Sequence, residues 1–83
     1  MQDISDLPDD YIGQLHLKIG KNVKRAREKK GLTQLQISQL IGHKSVTIIS
    51  RAEICYKGQH FNIEHLAKIA YVLELNLCDF FDT

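Results

Sequence analysis

The chain has 83 residues, 43% of them hydrophobic, a single proline and a formal net charge of +1. A chain of this length buries only about 60 to 65% of the surface its unfolded form exposes, so one small folded domain with an economical core is expected, and this composition excludes a largely disordered chain. No apolar run approaches the roughly 20 residues that cross a bilayer, and the acidic start MQDISDLPDD is the opposite of a basic signal-peptide start, so a cytoplasmic protein without a membrane partner is expected.

The small net charge hides an asymmetry along the chain. Residues 1–14 hold Asp3, Asp6, Asp9 and Asp10 and no basic residue, while the segment from Lys18 to Lys57 holds ten basic residues against Glu28 and Glu53. Charge clustered on one part of a domain is the footprint of a phosphate-binding surface. The acidic residues 1–14 read as an arm or short extra turn, with Pro8 suited to the first turn of a helix that Ser5 or Asp6 caps. Residues 15–83 read as the domain proper.

From Leu15, the apolar residues Leu15, Ile19, Val23 and Ala26 recur at helical spacing, marking one face of a first helix that ends near Lys30 with Gly31 beyond it. Thr33 then stands at an N-cap, Gln36 completes a capping box, and Leu32 and Ile37 form a hydrophobic staple, which starts a second helix at Gln34. Gly42 ends that helix in a left-handed conformation. Ser45 caps a third helix of about residues 46–54.

A loop of roughly Tyr56 to Phe61 turns at Gly58, with Lys57 and His60 facing solvent. Asn62 caps a fourth helix, stapled by Phe61 and Leu66, whose core stripe is Ile63, Leu66, Ile69, Ala70 and Leu73. Asn76 caps a short terminal helix, with Leu75 and Phe80 as staple partners and Asp79 favouring the helix dipole. The expected architecture is all-α, five helices and no strand.

The third helix is suited to reading DNA. The major groove admits one α-helix, and bases are told apart there by hydrogen bonds and by the thymine methyl. With Ile49 and Ala52 pointing inward, Val46, Thr47, Ser50 and Arg51 are left on the outer side as base contacts. Arg51 suits guanine bidentately, Thr47 suits a base hydrogen bond, and Val46 suits a thymine methyl. Gln34 at the start of the preceding helix, Lys44 and Ser45 in the turn, and Lys57 in the following loop are the phosphate contacts. Gln59 and His60 are weaker candidates of the same kind.

The two cysteines, Cys55 and Cys78, have neither CxxC spacing nor the density of a disulfide scaffold and read as buried small hydrophobes. Cys55, His60 and His65 fall at spacings a metal site uses, but structural zinc sites show closer ligand pairs, so no metal and no cofactor is expected. No paired acid and base, phosphate loop or nucleophile constellation is present, and the histidines are dispersed, so an enzyme is not expected.

The segments IGKNVKRAREKKGLTQLQISQLIG, TIISRAE and IEHLAKIAYVLELNLCDFF resemble the Cro/C1-type helix-turn-helix proteins, the Xre family, over roughly Leu15 to Phe81. The resemblance implies a compact five-helix, lambda-repressor-like domain that binds operator DNA as a twofold homodimer, with its third helix in the major groove. It places Gln34 and Ser45 on phosphate and Val46, Thr47 and Arg51 on base edges, and it pairs Arg27 with Glu53 as a structural ion pair.

Against the family pattern, the turn GHKSVTIIS is one residue longer, Cys55 replaces a glycine and the loop to Phe61 is extended. Ser38 replaces a small alanine, its hydroxyl expected to bond the backbone. The function expected is a sequence-specific regulator, a repressor, dimeric through the apolar C-terminal region around Leu75, Leu77 and Phe81, residues that serve equally well as core. The alternatives are an antitoxin or other protein-interaction module whose acidic residues 1–14 engage a basic partner, and a restriction-modification controller.

Overall fold

The computed structural model describes residues 1–82. Four α-helices follow in order: α1 (Tyr11–Lys29), α2 (Gln34–Leu40), α3 (Thr47–Ile54) and α4 (Ile63–Leu73), with 3₁₀ turns at Ile4–Asp6, Tyr56–Gly58 and Leu77–Phe80. Among the described residues there is no strand, and no helix is long and apolar enough to cross a membrane.

Local chemistry accounts for the helix boundaries. The Thr33 hydroxyl accepts the Gln36 N–H at 3.1 Å and the Gln36 side chain accepts the Thr33 N–H at 2.8 Å, so the expected capping box starts α2. Asn62 and His65 repeat the device at α4 with an imidazole in place of a carboxamide: His65 Nδ1 accepts the Asn62 N–H at 3.1 Å. α1 and α2 end in Schellman motifs. In these, Leu32 N–H reaches the Arg27 carbonyl past Gly31, and His43 N–H reaches that of Ser38 past Gly42. Both glycines have positive φ. α4 ends the same way, but Glu74 takes the left-handed position at φ 58°.

Three boundaries differ from expectation. α1 starts at Tyr11, four residues before Leu15, because the Tyr11 N–H closes a turn onto the Pro8 carbonyl and the first helical turn projects beyond the core with every side chain exposed. Before it, Asp3 caps the 3₁₀ turn by accepting the Ser5 N–H. The fifth helix is a four-residue 3₁₀ turn, closed by i→i+3 bonds such as Phe81 N–H to the Cys78 carbonyl.

The core joins Ile19 and Val23 of α1, Ile37 and Ile41 at α2, Ile49 and Ala52 of α3, and Leu66, Ile69, Ala70 and Leu73 of α4, closed by Phe61 and Phe80. Ile63, assigned to the core stripe of α4, is 64% exposed, since it lies on the lateral side of the helix instead. Leu75, Leu77 and Phe81, expected either at a dimer surface or in the core, are half-buried and pack against this core. Asn22 of α1 ties the end of the chain down, donating to the carbonyls of Phe80, at 2.9 Å, and Asp82. Of the cysteines, Cys55 is half-buried and Cys78 exposed.

Candidate nucleic-acid interface

α3 is held by its inner face. Ile49 and Ala52 are fully buried, and α1 packs on α3 more extensively than on any other element. The contact is close because residue 20 is glycine: a Cβ there would lie 2.6 Å from the Glu53 carbonyl oxygen and 2.8 Å from that of Ala52.

Glu53 is the polar anchor of the same face. It is 2% exposed and receives a fork from Arg27, with Nε at 2.8 Å and Nη2 at 3.1 Å, while Arg27 Nη1 donates to the Leu32 carbonyl at 2.7 Å. The hydrogen bond to Glu53 raises the Arg27 pKa further above its already high ordinary value, against the opposing effect of burial. A bidentate arginine–carboxylate pair fixes orientation as well as charge. α1, the entry to α2 and the end of α3 are thus joined through one carboxylate.

Gln34 belongs to this network. Its Nε2 donates to Glu53 Oε1 at 2.9 Å and the residue is half-buried. The amide of Gln34, expected as a phosphate contact, donates to an interior acceptor that its position in the chain does not reveal.

The outer side of α3 carries Thr47 and Arg51 exposed, with Val46 and Ser50 half-buried. Val46 already has helical angles, and the Ser45 hydroxyl accepts the Thr47 N–H at 3.1 Å, so Ser45 performs the capping expected of it. The same hydroxyl donates to Thr47 Oγ1 at 3.0 Å, which leaves the Thr47 O–H to donate outward. Ser50 spends its donor on the Thr47 carbonyl at 3.1 Å and can offer an outside group only its oxygen.

Arg51 forms no ion pair among the described residues, and its guanidinium lies over the Tyr56 ring, 5.5 Å from the centroid. Lys57 Nζ lies 5.4 Å from the same centroid. Sequence reasoning passed over Tyr56, although an aromatic residue interleaved with basic ones is the available signal. Such contacts are worth about 0.5 to 1 kcal/mol at exposed sites. Left-handed angles at Cys55, Lys57 and Gly58 shape the corner that sets Lys57 beside the ring. Lys44 is exposed in the turn before α3.

The structure divides the basic segment. Lys44, Arg51 and Lys57 accompany α3, whereas Arg25, Lys29 and Lys30 line a groove between α1 and the C-terminal turn together with Asp79 and Asp82. The histidines are paired rather than dispersed. His43, in the turn before α3, lies 5.1 Å from His65 of α4, and His60, in the loop after α3, stacks on His16 of α1 at 3.6 Å. Burial first, then its histidine partner, lowers the pKa of His16 and of His65. These contacts place the Cys55, His60 and His65 candidates apart: the Cys55 thiol faces the Ala52 carbonyl at 3.8 Å. No three metal-ligating side chains come together among the described residues.

No family model matches the chain, and no curated protein matches it significantly.

Proposed function

We propose that the protein is a sequence-specific double-stranded DNA-binding regulator, a repressor of the Cro/C1-type helix-turn-helix family, that inserts α3 with Val46 into the major groove as a twofold dimer. The observation that carries this reading is the division of α3 into two faces. Glu53, Ile49 and Ala52 lock one face to three other parts of the chain, while Thr47 and Arg51 stand outward without an internal carboxylate partner among the described residues. A short helix held rigidly with a mixed polar face is what direct readout requires. In this reading Arg51 and Thr47 address base edges and Val46 a thymine methyl. Ser50 accepts a hydrogen bond from a base amine, and Lys44, Ser45 and Lys57 hold phosphates on either side.

Selection of bound duplexes from random DNA, followed by affinity measurements against salt, tests this. Replacing Lys44 with alanine should weaken binding to every sequence and reduce the salt slope by about 1, whereas Arg51→Ala should cost about 1 to 3 kcal/mol and relax the preference at one base pair. Equal affinity for all duplexes would overturn the reading.

A second reading, a protein-interaction module such as an antitoxin, is favoured by the N-terminal arm. Ile4, Leu7, Tyr11 and Ile12 are 38 to 80% exposed among four aspartates, a surface suited to a basic, apolar partner protein. The two readings are compatible, since the arm and α3 are separate surfaces of one chain.

A further inference from the structure

We infer that Tyr56 is the positioning residue for Arg51: its ring confines the guanidinium at the end of α3 before a duplex arrives, and so sharpens the base preference read there. The inference rests on the proposed reading of α3 as a DNA-recognition helix and names the group that orients its principal reader.

The backbone brings the two side chains together. Successive helical residues advance by about 100° around the axis, so a helix continued past Ile54 would carry residues 51 and 56 on faces about 140° apart. Cys55 instead turns left-handed, at φ 54° and ψ 43°, and its N–H closes onto the carbonyls of Ala52 and Arg51. The chain reverses there, and the Tyr56 ring comes back alongside Arg51, with 5.5 Å from the guanidinium carbon to the ring centroid. Lys57 is left-handed as well, at φ 50°, and its Nζ lies 5.4 Å from the same centroid. Gly58 N–H fastens this corner to the Cys55 carbonyl, and Gln59 N–H to that of Tyr56.

The backbone at this corner is held at a cost. At the ends of α1 and α2 glycine takes the left-handed position, and at α4 Glu74 takes it alone, but here two non-glycine residues within three positions do so. Such residues persist only where their surroundings over-determine them, and they cluster at binding sites. Charge points the same way. Neither Arg51 nor Lys57 forms an ion pair among the described residues. Two cations gathered at one ring repel each other, which the negative face of the π system offsets. With no carboxylate neutralising them, both charges stay available to a polyanion.

The benefit to recognition is preorganisation. A free arginine on a helix surface samples many rotamers and loses them on binding. A planar guanidinium stacks on an aromatic face, so the ring removes part of that loss beforehand for the base within reach of Arg51. Lys57 gains the same restraint for a phosphate.

Tyr56 is 44% exposed, so substitutions there leave the core in place, and the circular dichroism signal and thermal transition should be retained. Without DNA, the ring current of Tyr56 should shift the Arg51 side-chain protons upfield in the NMR spectrum, and Tyr56→Leu should abolish the shift. On duplexes that the wild-type chain selects from random DNA, Tyr56→Leu should weaken binding about two- to fivefold and relax the preference at the base pair that Arg51→Ala identifies. Tyr56→Phe should keep the wild-type preference. In an Arg51→Ala background, Tyr56→Leu should cause no further loss of preference. A missing ring-current shift would overturn the assignment, as would a Tyr56→Leu chain that keeps the preference or a Tyr56→Phe chain as impaired as Tyr56→Leu. A wild-type chain that distinguishes no duplex would remove the DNA reading and this role with it, whereas a selective wild type matched by Tyr56→Leu removes this role alone.

Discussion

Gly20 of α1 backs directly onto the carbonyl of Glu53 in α3, so closely that a Cβ at position 20 would lie 2.6 Å from its oxygen. The obstructing atom is backbone on both sides, so no side-chain rotation relieves it. Gly20→Ala should gain up to about 1 kcal/mol of helix propensity and lose more to the forced separation of α1 and α3, since overpacking costs about 1 to 3 kcal/mol. Urea denaturation should show a net loss. A stability equal to or above wild type would mean that the two helices move apart freely.

Arg27 and Glu53 are 6% and 2% exposed, so removing one leaves the other charge buried. Arg27→Met should therefore cost about 3 to 5 kcal/mol, a large part of the total for a chain of this size at about 0.05 to 0.15 kcal/mol per residue. Arg27→Met combined with Glu53→Leu should recover part of it, because no uncompensated charge remains. Denaturation midpoints of the two variants check the order. The double variant frees the Gln34 amide, and any change in its DNA affinity reports what Gln34 does once released.

Ser38 is 1% exposed and its Oγ has no hydrogen-bond partner. The expected bond to the backbone is absent among the described residues: the carbonyl of Ser38 itself is taken by His43 N–H, and the hydroxyl meets no acceptor. An unsatisfied buried hydroxyl costs about 1 to 3 kcal/mol, and alanine has the higher helix propensity. Ser38→Ala should raise stability by about 1 kcal/mol or more, seen as a melting temperature higher by roughly 4 to 8 °C in a domain of this size. A lower melting temperature would show that the hydroxyl is bonded in solution.

His16 and His65 carry depressed pKa values, from burial first and from His60 and His43 respectively; for His65, Lys68 acts in the same direction and Glu64 opposes. The folded chain holds these protons less readily than the unfolded chain, whose histidines titrate near about 6.5. Stability contributed by neutral His16 and His65 is thus fully present above about 6.5 and declines as pH falls through the window down to their folded values. Thermal melts between about pH 8 and pH 5 should show this slope. His16→Gln with His65→Gln should flatten it, and glutamine at 65 keeps the acceptor of the capping box. An unchanged slope would assign the acid sensitivity to other groups.

The sequence by itself determined the elements whose causes are local. The starts of α2 and α4 rest on side chains three residues apart, and the ends of α1 and α2 on Gly31 and Gly42, each with hydrogen bonds confined to a few neighbouring residues. The outward position of Thr47 and Arg51 followed in the same way from helical period and the inward turn of Ile49 and Ala52. The tertiary structure alone decided what depends on distant partners. It turned Gln34 to Glu53, gave Asn22 the carbonyls of the chain end, set His16 on His60, laid the half-buried Leu75, Leu77 and Phe81 against the core and left Ile63 outside it. Local hydrogen bonds and helical periodicity are written within a few residues, but which flank of an amphipathic helix finds a neighbour is set only when all four helices pack around the same apolar centre.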